Sequence, residues 1–505
     1  MNPDDQQKLG VILVVILPTL FWLQAVKKTE VLTEPKWQAL WHLLKHTHEK
    51  PLLLAAAIGG LVLALLLLWM MTQFSKLEFE GAYFGKFLRG TSIVSSSKLK
   101  RITKEKQQQV TIAGIPMPTK VENLHLLVGG STGAGKSVLI RELVYKALLR
   151  GDRMIVADPD GDMLAKFWKE GDIILNPYDI RTQGWSFFNE IRNDYDFKRY
   201  VLSIVPRGQT EEAEEWAGYA RLLLRETARK LQLIGNPSMR DLFRWTTIAS
   251  PDELKEFLTG TDAESLFVGA PRALASARFV LSDKLPEHVN MPAGNFSLRG
   301  WLENLNGGNL YITWREDMTE SLKPLISAWV DVLCTSILTL PDDENRRLWM
   351  VLDELASLEK LASLESALTK GRKKGLRVVA GLQSTAQLED VYGEKEAQTL
   401  KSCFRSLVVL GGAKTDPKTC EDMSKSLGEH EVERMRYSKS SSAKSTSTNT
   451  SIERATEKVV MPSQIATLPE LTGYVAYAGN RPISKVTIDV LKFVNRTANF
   501  QERST

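Results

Sequence analysis

Cysteine is scarce in this chain of 505 residues. Cys334, Cys403 and Cys420 show no C-x-x-C spacing, which is the spacing of common metal-binding and dithiol motifs. We expect these thiols to lie in a cytoplasmic part of the protein, where they stay reduced. The cysteines are therefore assigned no chemistry.

A strong charge of one sign is also missing. The 65 Lys and Arg residues nearly balance the 60 Asp and Glu residues, which leaves a net charge of +5. A charge of this size permits an anionic partner but does not require one. No internal repeat is visible, and no set of residues forms a DNA-binding motif by itself. The function must therefore be inferred from local motifs.

Long apolar runs, in contrast, are present near the N-terminus. Residues 9–26 and 52–71 are almost wholly apolar, and a membrane-spanning helix needs roughly 20 such residues. The first run lacks the small-x-small cleavage site of a signal peptide, and a second run follows closely. We expect residues 1–75 to form a two-helix transmembrane hairpin with an outer loop at 27–50. Aromatic residues that favour membrane interfaces lie near the span ends, namely Phe21, Trp22, Trp37, Trp41 and Trp69.

The most specific motif is a phosphate-binding loop of the pattern G-x-x-x-x-G-K-[ST]. Its residues are Gly130, Ser131, Thr132, Gly133, Ala134, Gly135, Lys136 and Ser137. An apolar run precedes it and a helical pattern follows, as this loop requires. Glycine lets the backbone curl around phosphate oxygens, and the helix N-terminus then points at the anion. We expect Lys136 to reach the β- and γ-phosphates of ATP and Ser137 to bind Mg²⁺.

The phosphate loop also orients the hairpin. ATP is cytoplasmic, so both termini are expected inside and residues 27–50 outside. The count of basic residues agrees, with eight after the second run against five in the outer loop.

Strand-like and helical runs alternate after the hairpin, which is typical of an α/β fold with a mostly parallel sheet. The expected strands are Leu124–Val128, Met154–Ala157, Leu310–Thr313, Leu348–Leu352, Val378–Gly381 and Leu407–Leu410, with Tyr474–Tyr477 and Val486–Ile488 at an edge. Between them, residues 185–299 read as an inserted all-α domain. The nucleotide-binding domain is thus predicted over 76–184 and 300–505. Residues 438–451 contain no large apolar side chain and are expected to form a flexible loop or a mobile insertion.

Polar residues follow two of the expected strands. Asp353 and Glu354 end the strand Leu348–Leu352, where we expect Asp353 to hold Mg²⁺ and Glu354 to act as general base for the attacking water. Gln383 follows the strand Val378–Gly381, either as a sensor of the γ-phosphate or as an ordinary strand end.

Two further segments leave alternatives open. The basic run from Lys370 to Arg377 is either a solvated loop or the source of an arginine finger for a neighbouring subunit. Arg372 is our first choice for the finger and Arg377 the second. The segment from Asp158 to Asp162 either approaches the nucleotide and Mg²⁺ or is only a turn.

In this order, the hairpin, Gly-Ser-Thr-Gly-Ala-Gly-Lys-Ser, Asp-Pro-Asp-Gly, the helical insertion, Leu-Asp-Glu-Leu and Gly-Leu-Gln-Ser resemble the type IV secretion coupling proteins. The resemblance covers essentially the whole chain. It implies a RecA-like fold and an ATP hydrolase that requires Mg²⁺. Lys136, Ser137, Asp353, Glu354, Gln383 and Arg372 match the family's site positions.

The resemblance also implies a cellular role. The family couples a relaxase bound to plasmid DNA to the type IV secretion channel and its ATPase components. Its members are homohexamers at the bacterial inner membrane, in contact with lipid, and pump single-stranded DNA during conjugation. Double-stranded DNA is a further expected partner, and DNA is expected to stimulate hydrolysis. The inserted helices are where the family meets DNA or relaxase, and Trp216 there either stacks on a base or packs.

Two other functions remain open. One is a docking platform that binds ATP and recruits protein substrates without driving DNA. The other is a translocase of the chromosome-segregation type, from which we would expect more spans and a C-terminal winged helix. Residues 481–505 are too short for that domain.

Overall fold

The structure is a computed structural model and describes residues 3–29, 36–74, 78–79, 82–83, 86–235, 237–268, 271–304, 306–442 and 445–503. The α-helices are α1 (Pro3–Thr29), α2 (Lys36–Lys45), α3 (Pro51–Phe74), α4 (Ser96–Thr103), α5 (Thr119–Glu122), α6 (Lys136–Leu149), α7 (Asp162–Phe167), α8 (Asp194–Ile204), α9 (Glu211–Leu233), α10 (Met239–Phe243), α11 (Pro251–Phe257), α12 (Pro271–Lys284), α13 (Pro286–Asn290), α14 (Leu298–Glu303), α15 (Thr319–Ile337), α16 (Leu364–Lys370), α17 (Thr385–Tyr392), α18 (Glu394–Cys403), α19 (Pro417–Leu427) and α20 (Pro462–Ile465).

The strands are β1 (Glu78–Phe79), β2 (Ala82–Tyr83), β3 (Lys86–Gly90), β4 (Ile93–Val94), β5 (Thr111–Ile112), β6 (Ile115–Pro116), β7 (Leu126–Gly129), β8 (Arg153–Pro159), β9 (Ile173–Leu175), β10 (Leu310–Trp314), β11 (Leu348–Leu352), β12 (Leu376–Leu382), β13 (Ser406–Leu410), β14 (Glu429–Ser442), β15 (Ser445–Lys458), β16 (Thr472–Ala476) and β17 (Ile483–Thr487). Each of the eight expected strands overlaps one of these. β9 has only three residues, too few for its pattern to stand out in the sequence.

The largest sheet has the strand order β4-β17-β16-β13-β7-β12-β11-β8-β10-β9. Neighbours from β13 to β9 are parallel, whereas β16 pairs antiparallel with β13 and with β17. β12 therefore lies between β7 and β11. Since parallel strands share one carboxyl edge, the residues that follow these three strands are brought together.

The sheet is covered on both faces, because alternate residues of its strands enter two apolar cores. Ile155 belongs to one core and its neighbour Val156 to the other. Helix α6 supplies Leu139 and Leu143 to one face, and α15 supplies Trp329 to the opposite face. Burial on both faces explains why the central strands are continuous apolar runs.

The described residues between β9 and β10 form helices α8 to α14 and the turns that join them. Polar residues cap the starts of several of these helices, near the breaks that the sequence predicts. Ser250 and Glu253, for example, form a reciprocal capping box at the start of α11. The exact division into domains at residues 184 and 300 stays a prediction.

By internal packing the chain separates into one compact unit of residues 1–88 and 431–455 and another of 89–430 and 456–505. In the first unit, α1 and α3 approach closely, since a Cβ on Gly60 would lie 2.7 Å from the Pro18 Cα. Among the described residues, one helix meets the length and composition of a membrane span, at Pro51–Trp69. The second expected span, at 9–26, stays a prediction.

The expectation of a flexible loop at 438–451 is wrong over the described residues. This segment belongs to the long strands β14 and β15, which join β3 in a three-stranded sheet. Low hydrophobicity favoured a loop, but the alternating Ser and Thr residues of β15 are compatible with a strand, and β14 pairs on both sides, with β15 and β3.

Candidate nucleotide-binding site

The predicted phosphate loop lies between β7 and α6, at the carboxyl edge of the sheet. Gly135 precedes α6 with a φ of 108°, and Gly133 has a φ of 79°. Both values are in the left-handed region of the backbone, which residues other than glycine rarely adopt. The sequence thus provides glycine where the backbone must turn to start the helix.

Three neighbouring segments hold this loop in place. The Gly130 N–H donates to the Leu382 carbonyl at 3.1 Å, at the end of β12. Both the N–H and the hydroxyl of Ser131 donate to the Gly411 carbonyl, at 2.8 Å and 2.9 Å. The Leu471 N–H donates to the Ala134 carbonyl at 3.2 Å. These contacts fix the loop before any anion binds, so its N–H groups are preorganised.

Sequence reasoning missed the last two anchors. One of them had a signal in the sequence, namely the pair Gly411 and Gly412 directly after a predicted strand. Such a pair allows another backbone, here that of the phosphate loop, to approach closely. Leu471 carries no such signal, because its contact is through the backbone and comes from a distant part of the chain.

Lys136 opens α6, and its side chain folds back over the loop. The Nζ atom donates to the carbonyl oxygens of Gly130 at 2.8 Å and Ser131 at 3.2 Å. Burial lowers the pKa of the Lys136 ammonium, while the nearby carboxylates of Glu354 and Asp353 oppose this shift. The lysine, the phosphate loop and the acidic pair are therefore close enough to act together.

The acidic pair directly follows β11. Burial raises the pKa of Asp353, and a hydrogen bond from Ser137 opposes the shift. Burial likewise raises the pKa of Glu354, opposed first by the positive charge of Lys136. One carboxylate oxygen of each acid is buried without a hydrogen-bond partner in the described part of the chain. Such oxygens are unusual unless a ligand or ion completes them.

This donor set fits Mg²⁺. Within the described residues, no cluster of three His, Cys, Asp or Glu side chains could hold a metal alone. Mg²⁺ is commonly held by one or two protein oxygens together with substrate phosphates and water. A hydroxyl from Ser137 beside a buried oxygen of Asp353 meets that requirement.

Gln383 follows β12 and so lies between the ends of β7 and β11. It is partly buried, and hydrogen bonding from its backbone to the Glu354 carboxylate lowers the pKa of that acid. Gln383 is thus adjacent both to the general-base candidate and to the strand that anchors the phosphate loop.

The segment from Asp158 to Asp162 is first of all a turn. The Asp158 carboxylate accepts hydrogen bonds from the backbone of Met163 at 3.1 Å and Leu164 at 2.7 Å, at the start of α7. Burial raises the pKa of Asp158 to about 7, with a smaller contribution from Asp353. Asp162 pairs with Arg141. The turn therefore also brings negative charge towards the acidic pair.

The two finger candidates have different surroundings. Arg377, in β12, is buried, and its Nε atom donates to the Glu122 carboxylate at 2.9 Å. Arg372 is on the short 3₁₀ turn Gly371–Lys374 and is half-buried, with its Nε unpartnered in the described part of the chain. The structure therefore favours Arg372 over Arg377 as a residue free to contact another subunit.

Arg372 lies at the opposite end of β12 from Gln383. At about 3.3 Å per residue, the seven residues of β12 separate these ends by about 23 Å. Arg372 and Arg347 line a cavity of about 840 Å³ that also contains Lys120 and Arg153. A cationic group so far from its own phosphate loop is suited to a neighbour's site and not to its own.

The strand order, the phosphate loop and the acidic pair define a P-loop nucleotide-binding protein of the RecA-like α/β class. Residues 109–489 match the family described as the type IV secretion-system coupling protein DNA-binding domain, and the chain belongs to this family.

Its relatives include coupling protein TraD of Escherichia coli strain K12, which is 30% identical over 458 residues. That match covers 86% of this chain but only 62% of TraD, so the chain spans less than two thirds of that relative's length. Conjugal transfer protein TraG of Agrobacterium fabrum strain C58 is 26% identical over 177 residues, or 35% of this chain and 27% of TraG.

Solved structures of the coupling protein TrwB are more similar. Unbound TrwBdeltaN70 is 69% identical with a TM-score of 0.81, and the match covers 84% of this chain and 99% of that one. TrwB in complex with ADP and Mg²⁺ is 68% identical with a TM-score of 0.80, covering 84% and 100%. TrwB with the ATP analogue ADPNP has the same identity and TM-score, covering 85% and 100%. The RecA-like fold and the expected family are thereby confirmed.

Proposed function

We propose that this chain is a Mg²⁺-dependent ATP hydrolase that couples a relaxase–DNA complex to a type IV secretion channel and pumps single-stranded DNA during conjugation. The observation that carries the proposal is the meeting of Lys136 and Ser137 with Asp353 and Glu354 at one edge of the sheet. The complexes of TrwB with ADP and Mg²⁺ and with ADPNP support the choice of cofactor.

The residues divide the chemistry between them. The loop from Gly130 to Ser137 surrounds the phosphates with N–H groups, and Lys136 contacts the β- and γ-phosphates. Ser137 and Asp353 would hold Mg²⁺, which neutralises the charge that develops on the phosphates. Glu354 accepts a proton from the attacking water.

Gln383 transmits the state of the nucleotide. Its position between the phosphate loop and Glu354 lets loss of the γ-phosphate change one hydrogen bond on β12. β12 begins a few residues after Arg372 and ends directly before Gln383. A small shift of this strand would therefore transmit a change at Gln383 to Arg372.

The active form is a homohexamer in which Arg372 of one subunit completes the next subunit's site. The carrying observation is that Arg372 is half-buried and its Nε has no partner among the described residues, whereas Arg377 is paired with Glu122. A guanidinium fork is suited to the charge on a transferring phosphoryl group.

The hairpin anchors this hydrolase in the bacterial inner membrane with both termini in the cytoplasm. Pro51–Trp69 supplies one span, because it has the length and the apolar composition that a span needs. α1 supplies the other, and its close approach to α3 at Gly60 and Pro18 supports a hairpin.

The all-α insertion contacts DNA or relaxase, while the channel and its ATPase components contact the rest of the cytoplasmic surface. Trp216 on α9 is 40% exposed, which leaves its ring accessible for stacking on a base. Double-stranded DNA binds the same insertion before its strands separate.

Hydrolysis by the purified full-length protein tests the proposal. We expect single-stranded DNA to increase ATP turnover, and this increase to shrink as salt rises, because phosphate contacts release counterions. Phosphate release is measured with DNA and with heparin as a matched polyanion. An equal response to both, or none to DNA, would contradict DNA pumping and favour the docking platform.

A further inference from the structure

Helix α2, in the loop between the two hairpin helices, carries an apolar face that the described residues leave exposed. Trp37, Trp41 and Leu44 are 68%, 58% and 51% exposed. At about 100° per residue, these three side chains and Leu40 fall within an arc of about 100°. The polar residues Gln38 and His42 lie on the other side of the helix, Lys45 lies at the border of the arc next to Trp41, and all three are exposed. The helix is therefore amphipathic in the sense of a surface-seeking helix.

A second set of contacts fixes α2 against the hairpin. Leu43 packs in a small core with Trp22, Val26 and Leu53. In addition, the Trp22 Nε1 donates to the Thr47 hydroxyl at 3.0 Å, just beyond α2. The exposed arc is thus held in a defined orientation beside α1 and α3.

These contacts also set the depth of α2. Leu53 lies in the first turn of α3, only two residues after Pro51, where the apolar span begins. At 1.5 Å per residue, Leu53 is about 3 Å inside that boundary. Since Leu43 packs in the same small core as Leu53, α2 lies near the level where hydrocarbon gives way to headgroups.

A cavity of about 450 Å³ opens between the three helices on the same side. Its walls are almost wholly apolar and include Pro18, Leu23, Leu40, Trp41 and Ala57. Trp37 and Leu44 line this cavity too, and α3 itself carries exposed apolar side chains such as Leu52, which is 68% exposed. Lys45 places its ammonium 5.9 Å from the Trp41 ring centre, so a cation lies beside the apolar arc.

We propose that α2 is an interfacial helix whose Trp37, Trp41 and Leu44 face is immersed in the outer leaflet of the inner membrane, with lipid acyl chain filling the adjoining cavity. The inference rests on the proposed hairpin topology. Lipid is the occupant because Trp37, Trp41 and Leu44 share their cavity with Ala57 of α3, the helix that has the length and composition of a membrane span. Tryptophan rings beside a lysine match the mixed polarity of this zone, with Lys45 reaching lipid phosphate.

Depth-dependent fluorescence quenching tests this placement. Full-length protein is reconstituted into phosphatidylcholine vesicles that contain lipid brominated near the glycerol end of the acyl chain. The double variant Trp37→Phe/Trp41→Phe keeps aromatic bulk and packing. Because four tryptophans are expected near the interfaces, we expect the double variant to lose about half of the quenchable emission.

Two controls separate this proposal from the topology on which it rests. Trp69→Phe reports the other end of the hairpin and should lose about a quarter of the quenchable emission. Gln38→Trp in the double variant places one ring on the polar side. Bromolipid should quench the emission of this ring by a smaller fraction than that of each native ring. If Trp69→Phe lowers quenching but Trp37→Phe/Trp41→Phe does not, α2 is not in lipid. If neither variant changes quenching, the hairpin topology fails as well.

Discussion

At the residue scale, Lys136 shows how burial and charge prepare a side chain for an anion. Burial alone would favour the neutral amine, yet the carboxylates of Glu354 and Asp353 stabilise the ammonium. The same burial raises the pKa values of those two acids. The three groups therefore depend on one another for their charge states, and removal of any one of them changes the other two.

Lys136→Thr should abolish ATP turnover while membrane insertion stays intact, because the loop keeps its backbone anchors but loses its phosphate-binding cation. Turnover is measured by phosphate release and insertion by extraction from membranes. Retained turnover in this variant would refute the site assignment. Lys146→Thr, at the far end of the same helix, is a matched control.

Glu354 predicts a specific pH dependence. In the proposed mechanism Glu354 acts as a carboxylate, and burial raises its pKa, so kcat/KM should fall at a higher pH than the titration of an exposed glutamate would cause. Glu354→Gln should lower turnover by roughly 10²- to 10⁴-fold and remove this acidic limb. An unchanged acidic limb in the residual activity would show that another group titrates.

At the element scale, β12 is the connection between the nucleotide and the surface that carries Arg372. It lies between the strand of the phosphate loop and the strand of the acidic pair. Gly381, near its end, permits an unusually close approach of two backbones, because an added Cβ would overlap the Asp353 carbonyl oxygen. The position of the acidic pair therefore depends on a residue that has no side chain.

Gly381→Ala should displace Asp353 and Glu354 and greatly reduce ATP turnover, with a smaller effect on nucleotide binding through the phosphate loop. Turnover and the binding of a fluorescent ATP analogue are measured in parallel. Gly218→Ala on α9 is the control, since its Cβ would meet only Arg221 at 3.9 Å. That change should be neutral or stabilise the helix by up to about 1 kcal/mol. Full activity of Gly381→Ala would mean that the pair tolerates the shift.

At the scale of the whole molecule, the two ends of β12 predict an assembly. Lys136 and Arg372 lie at opposite edges of the same sheet, so one subunit cannot bring them together without refolding. The proposed ring meets this requirement, because each subunit can present its Lys136 edge to one neighbour and its Arg372 edge to the other.

Mixing inactive variants tests the ring. Lys136→Thr and Arg372→Ala should each be inactive, the latter with nucleotide binding retained and a loss of roughly 10³- to 10⁵-fold. Coexpressed in equal amounts, they should regain activity, since about a quarter of the interfaces then combine an intact Lys136 with an intact Arg372. Lys373→Ala serves as the neighbouring control. Turnover no higher than that of either variant would exclude a shared site.

Local sequence patterns were sufficient to predict the central strands of this protein and the polar residues that follow them. The phosphate loop, the acidic pair and the long central strands could be predicted because apolar periodicity and glycine placement are local properties of the chain. The family could be recognised because these motifs occur in a specific order. Polar strands such as β14 and β15 were not predicted, since their sequence carries no apolar pattern.

Only the tertiary structure decided which strand ends are neighbours. The placement of β12 between β7 and β11, the burial of Arg377 against Glu122, and the anchoring of the loop by Gly411 all join residues far apart in the chain. Such pairings follow from long-range packing and from satisfying buried polar groups, which no local pattern encodes. The sequence already ranked Arg372 before Arg377, and the fold added the physical reason, which is the burial of Arg377 against Glu122.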